Sequence, residues 1–205
     1  MPAALTEASF ATAIAELARR DPALARIIHD HGHPPFWVRP PGFTTLVHII
    51  LEQQVSLASA QAALDKLLGL TSPLTPENFL AHSDETLRAA GFSRQKTRYC
   101  RLLASALLTG ELNLDTLPTL PDEQAHTALT ALTGIGAWTA DIYLLMALRR
   151  PDTWPAGDLA LQVAVQRIRN LPARPASPDM PALAENWRPW RAVAARILWH
   201  DYLSR

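Results

Sequence analysis

Apolar residues recur along this chain at intervals of three and four, and the alternation expected of sheet proteins is absent. Capping residues and glycines fall where helices would begin and end. Asp21-Pro22 sets an N-cap before a proline at the first helical position, and Thr75-Pro76 repeats the device ahead of Phe79 and Leu80. Ser56 caps a helix through Leu68 that Gly69 stops; Ser83 and Gly91 bracket a short one. Ser93 and Gly110 bracket a longer helix carrying Tyr99, Leu102, Leu103 and Leu107. Asp122 opens another that ends at Leu132, Gly134-Ile135-Gly136 makes a tight turn, and a further helix runs to about Arg150. The pattern predicts an all-α protein of about ten helices.

Proline density divides the chain. Pro34, Pro35, Pro40 and Pro41 separate the first helices from the apolar run near Phe43, and seven more fall from Pro151 to Pro189. Between them lies a cleaner helical stretch, about residues 42–150, with no internal repeat. Composition narrows the class. At 205 residues, with 48% hydrophobic and 19% charged, the chain holds a packed core of one domain or two small lobes. Nineteen basic residues balance nineteen acidic ones, so no basic coat holds a nucleic acid, although a local basic face is not excluded. One cysteine, Cys100, excludes a disulfide framework, a cysteine zinc site and a four-cysteine iron–sulfur cluster. Glu7, Glu16, Arg19 and Arg20 interrupt the first apolar stretch, so no signal peptide is expected, and no uncharged run reaches membrane-span length. The expected place is the cytoplasm and nucleoid of a bacterium, or the nucleus of a eukaryote.

The candidate chemistry centres on Leu132-Thr133-Gly134-Ile135-Gly136-Ala137-Trp138-Thr139. Two glycines in a three-residue turn allow backbone conformations closed to other residues and let another backbone come close. The next helix then offers N–H groups suited to a phosphate oxygen. Two readings stand: a plain turn between packed helices, or a helix–hairpin–helix that grips DNA without net charge. Asp158 follows 22 residues after Gly136, in Pro155-Ala156-Gly157-Asp158, and opens the helix Leu159–Arg169. It is an N-cap by position; the same geometry orients a carboxylate beside a reacting centre, so cap and catalyst are compatible.

The hairpin, the Trp138-Thr139-Ala140 that follows it and the aspartate-ended proline loop resemble the helix–hairpin–helix DNA glycosylases, and within them the 3-methyladenine DNA glycosylase II branch. The resemblance extends to Ile50-Leu51-Glu52-Gln53-Gln54-Val55-Ser56, to Gly91-Phe92-Ser93-Arg94-Gln95-Lys96 and to Trp187-Arg188-Pro189-Trp190-Arg191, in the family's order. It implies two helical lobes, 42–150 and a composite of 1–41 with 151–205, with a cleft between them. It implies that Asp158 is the catalytic aspartate. Trp138 stands where bifunctional relatives carry a Schiff-base lysine, which implies a monofunctional hydrolase. Gln54 matches the wedge that fills the gap left by a flipped nucleotide; Trp138 and Trp199 match aromatic positions of the base pocket. Gly134, Ile135, Gly136 and Thr139 match the DNA-binding hairpin, whose carbonyls at Thr130, Leu132 and Ile135 match a site for sodium or potassium. No cofactor is required, and the expected partner is double-stranded DNA with damaged bases, bound by a monomer.

Departures bear on substrate range. Ile142 and Leu159 replace aromatic pocket positions, Gly157 replaces a second acid, and Glu52 stands where glycine is common. Little precedes Pro22, so the β-rich N-terminal domain of some relatives is not expected. The rival functions are a non-catalytic DNA-binding protein that kept the hairpin, a monofunctional glycosylase for another lesion, and a helical bundle with a protein partner. Other residues have plainer readings. His29, His31 and His33 alternate in a turn and lack the helical spacing of common zinc sites. Arg94, Lys96, Arg98 and Arg101 form either a solvated helix face or a phosphate-facing one. Trp187 and Trp190 are expected to anchor the last helix, Trp37 and Trp154 to pack under loops, and Cys100 to be a buried apolar residue.

Overall fold

The computed structural model describes residues 3–205, and among them every regular element is helical. The α-helices are α1 (Glu7–Arg20), α2 (Pro22–His31), α3 (Phe43–Glu52), α4 (Leu57–Leu70), α5 (Pro76–Leu80) and α6 (Asp84–Ala89). They continue with α7 (Arg94–Thr109), α8 (Asp122–Thr130), α9 (Ala137–Met146), α10 (Leu159–Ile168), α11 (Met180–Leu183) and α12 (Arg191–Leu203). Short 3-10 turns of helix lie at Leu117–Thr119, Ser177–Asp179 and Glu185–Trp187. No helix among the described residues is long and apolar enough to cross a membrane.

The local signals act through short-range bonds. Ser56, Thr75, Ser83 and Ser93 each accept the N–H three residues on, closing the first turns of α4, α5, α6 and α7. Three expectations need correction. α4 runs through Gly69, because the Thr71 N–H still reaches the Leu67 carbonyl at 3.0 Å; the chain leaves the helix only at extended Thr71, two residues before Pro73. Asp122 is the first residue of α8, favourable there to the helix dipole, and Pro121 holds the cap position. α9 stops at Met146, short of Arg150, where the chain turns back and the Arg150 N–H reaches the Leu144 carbonyl at 2.9 Å. His29 and His31 belong to the last turn of α2, which ends at Gly32 (φ 79).

The chain forms two compact units, residues 39–143 and a discontinuous one of 3–38 with 144–205. The proline stretches suggest edges at 41/42 and 150/151, whereas the later edge falls inside α9. Leu144–Arg150 belongs with the discontinuous unit because Arg196 donates to the Leu145 carbonyl at 2.9 Å and Leu5 to the Arg149 carbonyl at 2.8 Å.

In the continuous unit, α3 packs on α4 and α7, and α5 and α6 pack on α7. Leu46, Ile49, Ile50, Leu67, Phe79 and Leu103 are fully buried there, with Phe79 tilted between Phe43 and Phe92. Cys100 is buried with them, and burial pushes its thiol up and out of the reactive range. In the discontinuous unit, α12 is buried from Ala192 to Trp199 and packs against α1, α2 and α10. Arg196, on α12, is fully buried and donates to the carbonyls of Ala192, Trp37 and Leu145, beneath the rings of Phe10 and Phe36. Burial without a carboxylate partner lowers its pKa to about 10. Trp187 is fully buried against Trp154 and donates to Asp21, while Trp190 is half-buried and donates to Glu16. Burial pushes the Asp21 carboxyl up, but Trp187, the Ala23 amide and Arg169 outweigh it and hold it below the usual range.

Candidate functional site

Asp158 ends the Pro155-Ala156-Gly157 turn in extended backbone and caps α10. Its Oδ1 accepts two N–H donors, the Leu161 amide at 2.9 Å and the Trp199 indole at 3.0 Å. One donor is local and the other comes from α12, so the carboxylate is fixed in both position and rotation. Gln162, buried one turn into α10, donates to the Ala156 carbonyl at 3.1 Å and to Ser177 at 3.0 Å, bracing the loop ahead of Asp158. Sequence reasoning missed Gln162; its signal was an amide four residues after the aspartate on a largely apolar helix. Trp199 is buried with its indole N–H turned to Asp158, whereas Leu159 is exposed.

The hairpin joins α8 to α9 in the continuous unit. Gly134 has φ +99, and a Cβ there would stand 2.6 Å from Tyr99 Cβ, so this glycine is required from within. Tyr99, which the sequence places on its helix without showing its contact with the hairpin, is held by Gln95 at 2.6 Å. Ile135 is buried, its N–H closing on the Leu132 carbonyl at 3.0 Å. Gly136 is exposed, and a Cβ built on it would meet nothing within 4 Å. Thr139 departs from its expected role as a DNA contact: it is buried, and its hydroxyl accepts Gln53 Nε2 at 3.0 Å. The same amide nitrogen donates to the Gly134 carbonyl at 3.0 Å. Trp138 is half-buried at the start of α9, and Ile142 is buried one turn on. The carbonyls of Thr130, Leu132 and Ile135 lie at and just beyond the end of α8, where helix carbonyls lose their intrahelical partners. A set of hard neutral oxygens fits an alkali cation.

Gln54 lies between α3 and α4, exposed, at φ 57. Of the basic run, Lys96 donates to the Leu51 carbonyl at 2.6 Å, and burial lowers its pKa. Arg101 holds Asp84 and the carbonyls of Leu80 and His82. Both are committed inside the protein, while Arg94 and Arg98 are exposed. His29 pairs with Asp30, and His31 lies 3.2 Å from Asp201. No group of three or more His, Cys, Asp or Glu side chains among the described residues converges as a metal site.

Comparison with known proteins agrees with this arrangement. The chain is 28% identical to YfjP of Bacillus subtilis over 187 residues, 87% of this chain and 65% of that protein. It is 28% identical over 161 residues to DNA-3-methyladenine glycosylase 1 of Schizosaccharomyces pombe, covering 77% and 71% of the two chains. The structure of the Schizosaccharomyces pombe 3-methyladenine DNA glycosylase with abasic DNA superposes with a TM-score of 0.85 at 26% identity, over 92% of this chain and 95% of that one. The 3-methyladenine DNA glycosylase of Archaeoglobus fulgidus gives a TM-score of 0.75 at 26% identity, over 90% and 67%. Residues 47–191, which carry the turn at Gln54, the hairpin and Asp158, match the HhH-GPD superfamily. The chain therefore belongs to the HhH-GPD superfamily of base excision DNA repair proteins.

Proposed function

We propose that this chain is a monofunctional DNA glycosylase that hydrolyses the N-glycosidic bond of alkylated bases such as 3-methyladenine, acting as a monomer on double-stranded DNA. The double anchoring of Asp158 carries the reading. A base stacked in a duplex is out of reach, so the nucleotide must swing out, and Gln54 fills the space it leaves. Alkylation at a ring nitrogen makes the base cationic and a good leaving group, so no general acid is needed. As the bond to the sugar breaks, positive charge gathers on the ring carbon and oxygen. A carboxylate held by two donors cannot swing away from that charge and stabilises it without reorganising; it also orients the attacking water. Trp138 supplies an aromatic face for a cationic base, worth about 0.5–2 kcal/mol. Tryptophan at this position cannot form a Schiff base, so the product is an intact abasic site. An alkali cation on the carbonyls of Thr130, Leu132 and Ile135 would stiffen the hairpin and enter no chemical step.

The test is incubation with methylated duplex DNA and identification of released bases, with borohydride added to a parallel reaction. Release of 3-methyladenine with the strand intact and nothing trapped is the expected result. Failure to release any methylated base from DNA that the protein binds would overturn the alkylated-base reading and leave a non-catalytic DNA-binding protein or a glycosylase for another lesion. An excision-dependent covalent adduct would overturn the monofunctional one.

A further inference from the structure

The turn between α3 and α4 is held more firmly than a connection of its length requires. The Leu51 carbonyl accepts Lys96 Nζ at 2.6 Å, tying it to α7. Glu52 takes both terminal nitrogens of Arg39, at 2.6 and 3.0 Å, tying it to the segment ahead of α3. Gln53 ties the turn to the hairpin through Gly134 and Thr139. Side-chain bonds involving Lys96, Arg39 and Gln53 thus hold three successive residues to three parts of one unit. The fourth residue, Gln54, is exposed and left-handed at φ 57, a conformation that a residue with a Cβ keeps only when its surroundings impose it.

Glu52 is the costly member of this set. It is 7% exposed and lies in the last turn of α3, where a carboxylate opposes the helix dipole. A buried ion pair of this kind is weak as a source of stability, but it fixes geometry through two parallel bonds. His48, one turn earlier on the same helix, lies 3.5 Å from the same carboxylate and adds a third polar group around it.

We propose that Glu52 is a positioning residue: its two-bond pair with Arg39 fixes the carboxyl end of α3, and with it the left-handed turn that presents Gln54 outward. The consequence for excision rests on Gln54 being the wedge; the mounting of the turn does not.

Glu52→Gln keeps the shape and loses the charge. Amide hydrogen exchange on the DNA-free protein should speed up about tenfold at residues 53–56 while protection in α4 and α7 is kept. Single-turnover excision from duplex DNA should fall about tenfold, with the rate on single strands of the same sequence unchanged. In a Gln54→Ala background the Glu52→Gln loss should vanish. Should Glu52→Gln fail to fold, Arg39→Lys loosens the same pair with its charge intact and carries the same expectations. Unchanged exchange at residues 53–56 would overturn the proposal, as would equal losses on both substrates. Faster exchange together with a Gln54→Ala variant that shows no duplex-specific loss would keep the mount and remove the wedge assignment.

Discussion

Helices α9 and α10 begin in opposite ways. At α10 the side chain of Asp158 closes on the Leu161 amide, so the helix start is answered from within by a carboxylate. At α9 the chain arrives through Gly136, which is exposed, has no side chain to offer and has open space where a Cβ would stand. Both starts carry N–H groups without intrahelical partners. One uses them to hold an acid; the other leaves the approach open to an outside anion such as a phosphate. On the proposed function, at α10 the helix is the holder and the side chain is the functional group. At α9, on the same proposed reading, the backbone is the functional group, and the side chains around it serve to shape it. If that function holds, a chain with zero net charge could grip DNA in this way without lysine and arginine, of which Lys96, Arg101, Arg39 and Arg196 are committed to partners within the protein.

The sharpest test of this contrast is Asp158→Asn. Asparagine caps helices as well as aspartate does and can accept from both Leu161 and Trp199, so melting temperature and affinity for undamaged duplex should be kept. Single-turnover excision should fall by about 10²–10³ or more, because the neutral amide no longer meets the developing charge. Near-normal excision would falsify the catalytic assignment and leave Asp158 a cap.

Gly134→Ala should act on the fold. It puts a Cβ into Tyr99 at a φ that alanine rarely adopts, costing about 2–3 kcal/mol, or roughly 4–12 °C in melting temperature. DNA affinity would fall with it, for damaged and undamaged duplex alike. A variant as stable as the parent would mean that Tyr99 and the turn yield easily, and that Gly134 too is kept for an outside partner.

Trp199→Phe separates holding the carboxylate from stacking on a base. Phenylalanine keeps an aromatic ring and removes the N–H that fixes Asp158 Oδ1. Losing one hydrogen bond to a charged group costs about 1.5 kcal/mol, so kcat should fall about tenfold and melting temperature by roughly 3–6 °C, while KM changes little. A rise in KM with kcat intact would return Trp199 to base binding alone.

The α10 start was largely legible in the sequence, and the α9 surroundings were not, for a physical reason. Caps such as Ser56, Ser93 and Asp158 act over three residues, so the chain spells them out locally. Trp199 reaches Asp158 across 41 positions, and Gln53 reaches Thr139 across 86. No local pattern encodes such bonds, which is why Thr139 read as a hairpin contact when its hydroxyl accepts from Gln53 in the turn between α3 and α4. Lys96 read as a candidate phosphate ligand because a basic run looks the same whether its ammonium faces solvent or a helix-end carbonyl. The division into units was misplaced at its later edge for a related reason: proline density marks loops, while the edge inside α9 is set by where Arg196 finds its carbonyls.

Gly136→Ala is the smallest expected effect and the one that isolates the α9 start. Its backbone does not lie in the left-handed region, and an added methyl meets nothing within 4 Å, so alanine is compatible with the folded chain. Melting temperature should therefore stay within about 1–2 °C of the parent. What the methyl does occupy is the approach to the first turn of α9 from outside. If a phosphate sits there, affinity should fall roughly three- to tenfold for undamaged, damaged and abasic duplexes alike. The slope of affinity against salt should not change, since no charged side chain has been removed. The bound-state excision rate should be kept, because the loss lies in binding and not at Asp158. Fluorescence titrations of the three duplexes at two salt concentrations read all of these quantities. Unchanged affinity would show that no phosphate approaches Gly136, and the contrast between the two helix starts would then rest on Asp158 alone.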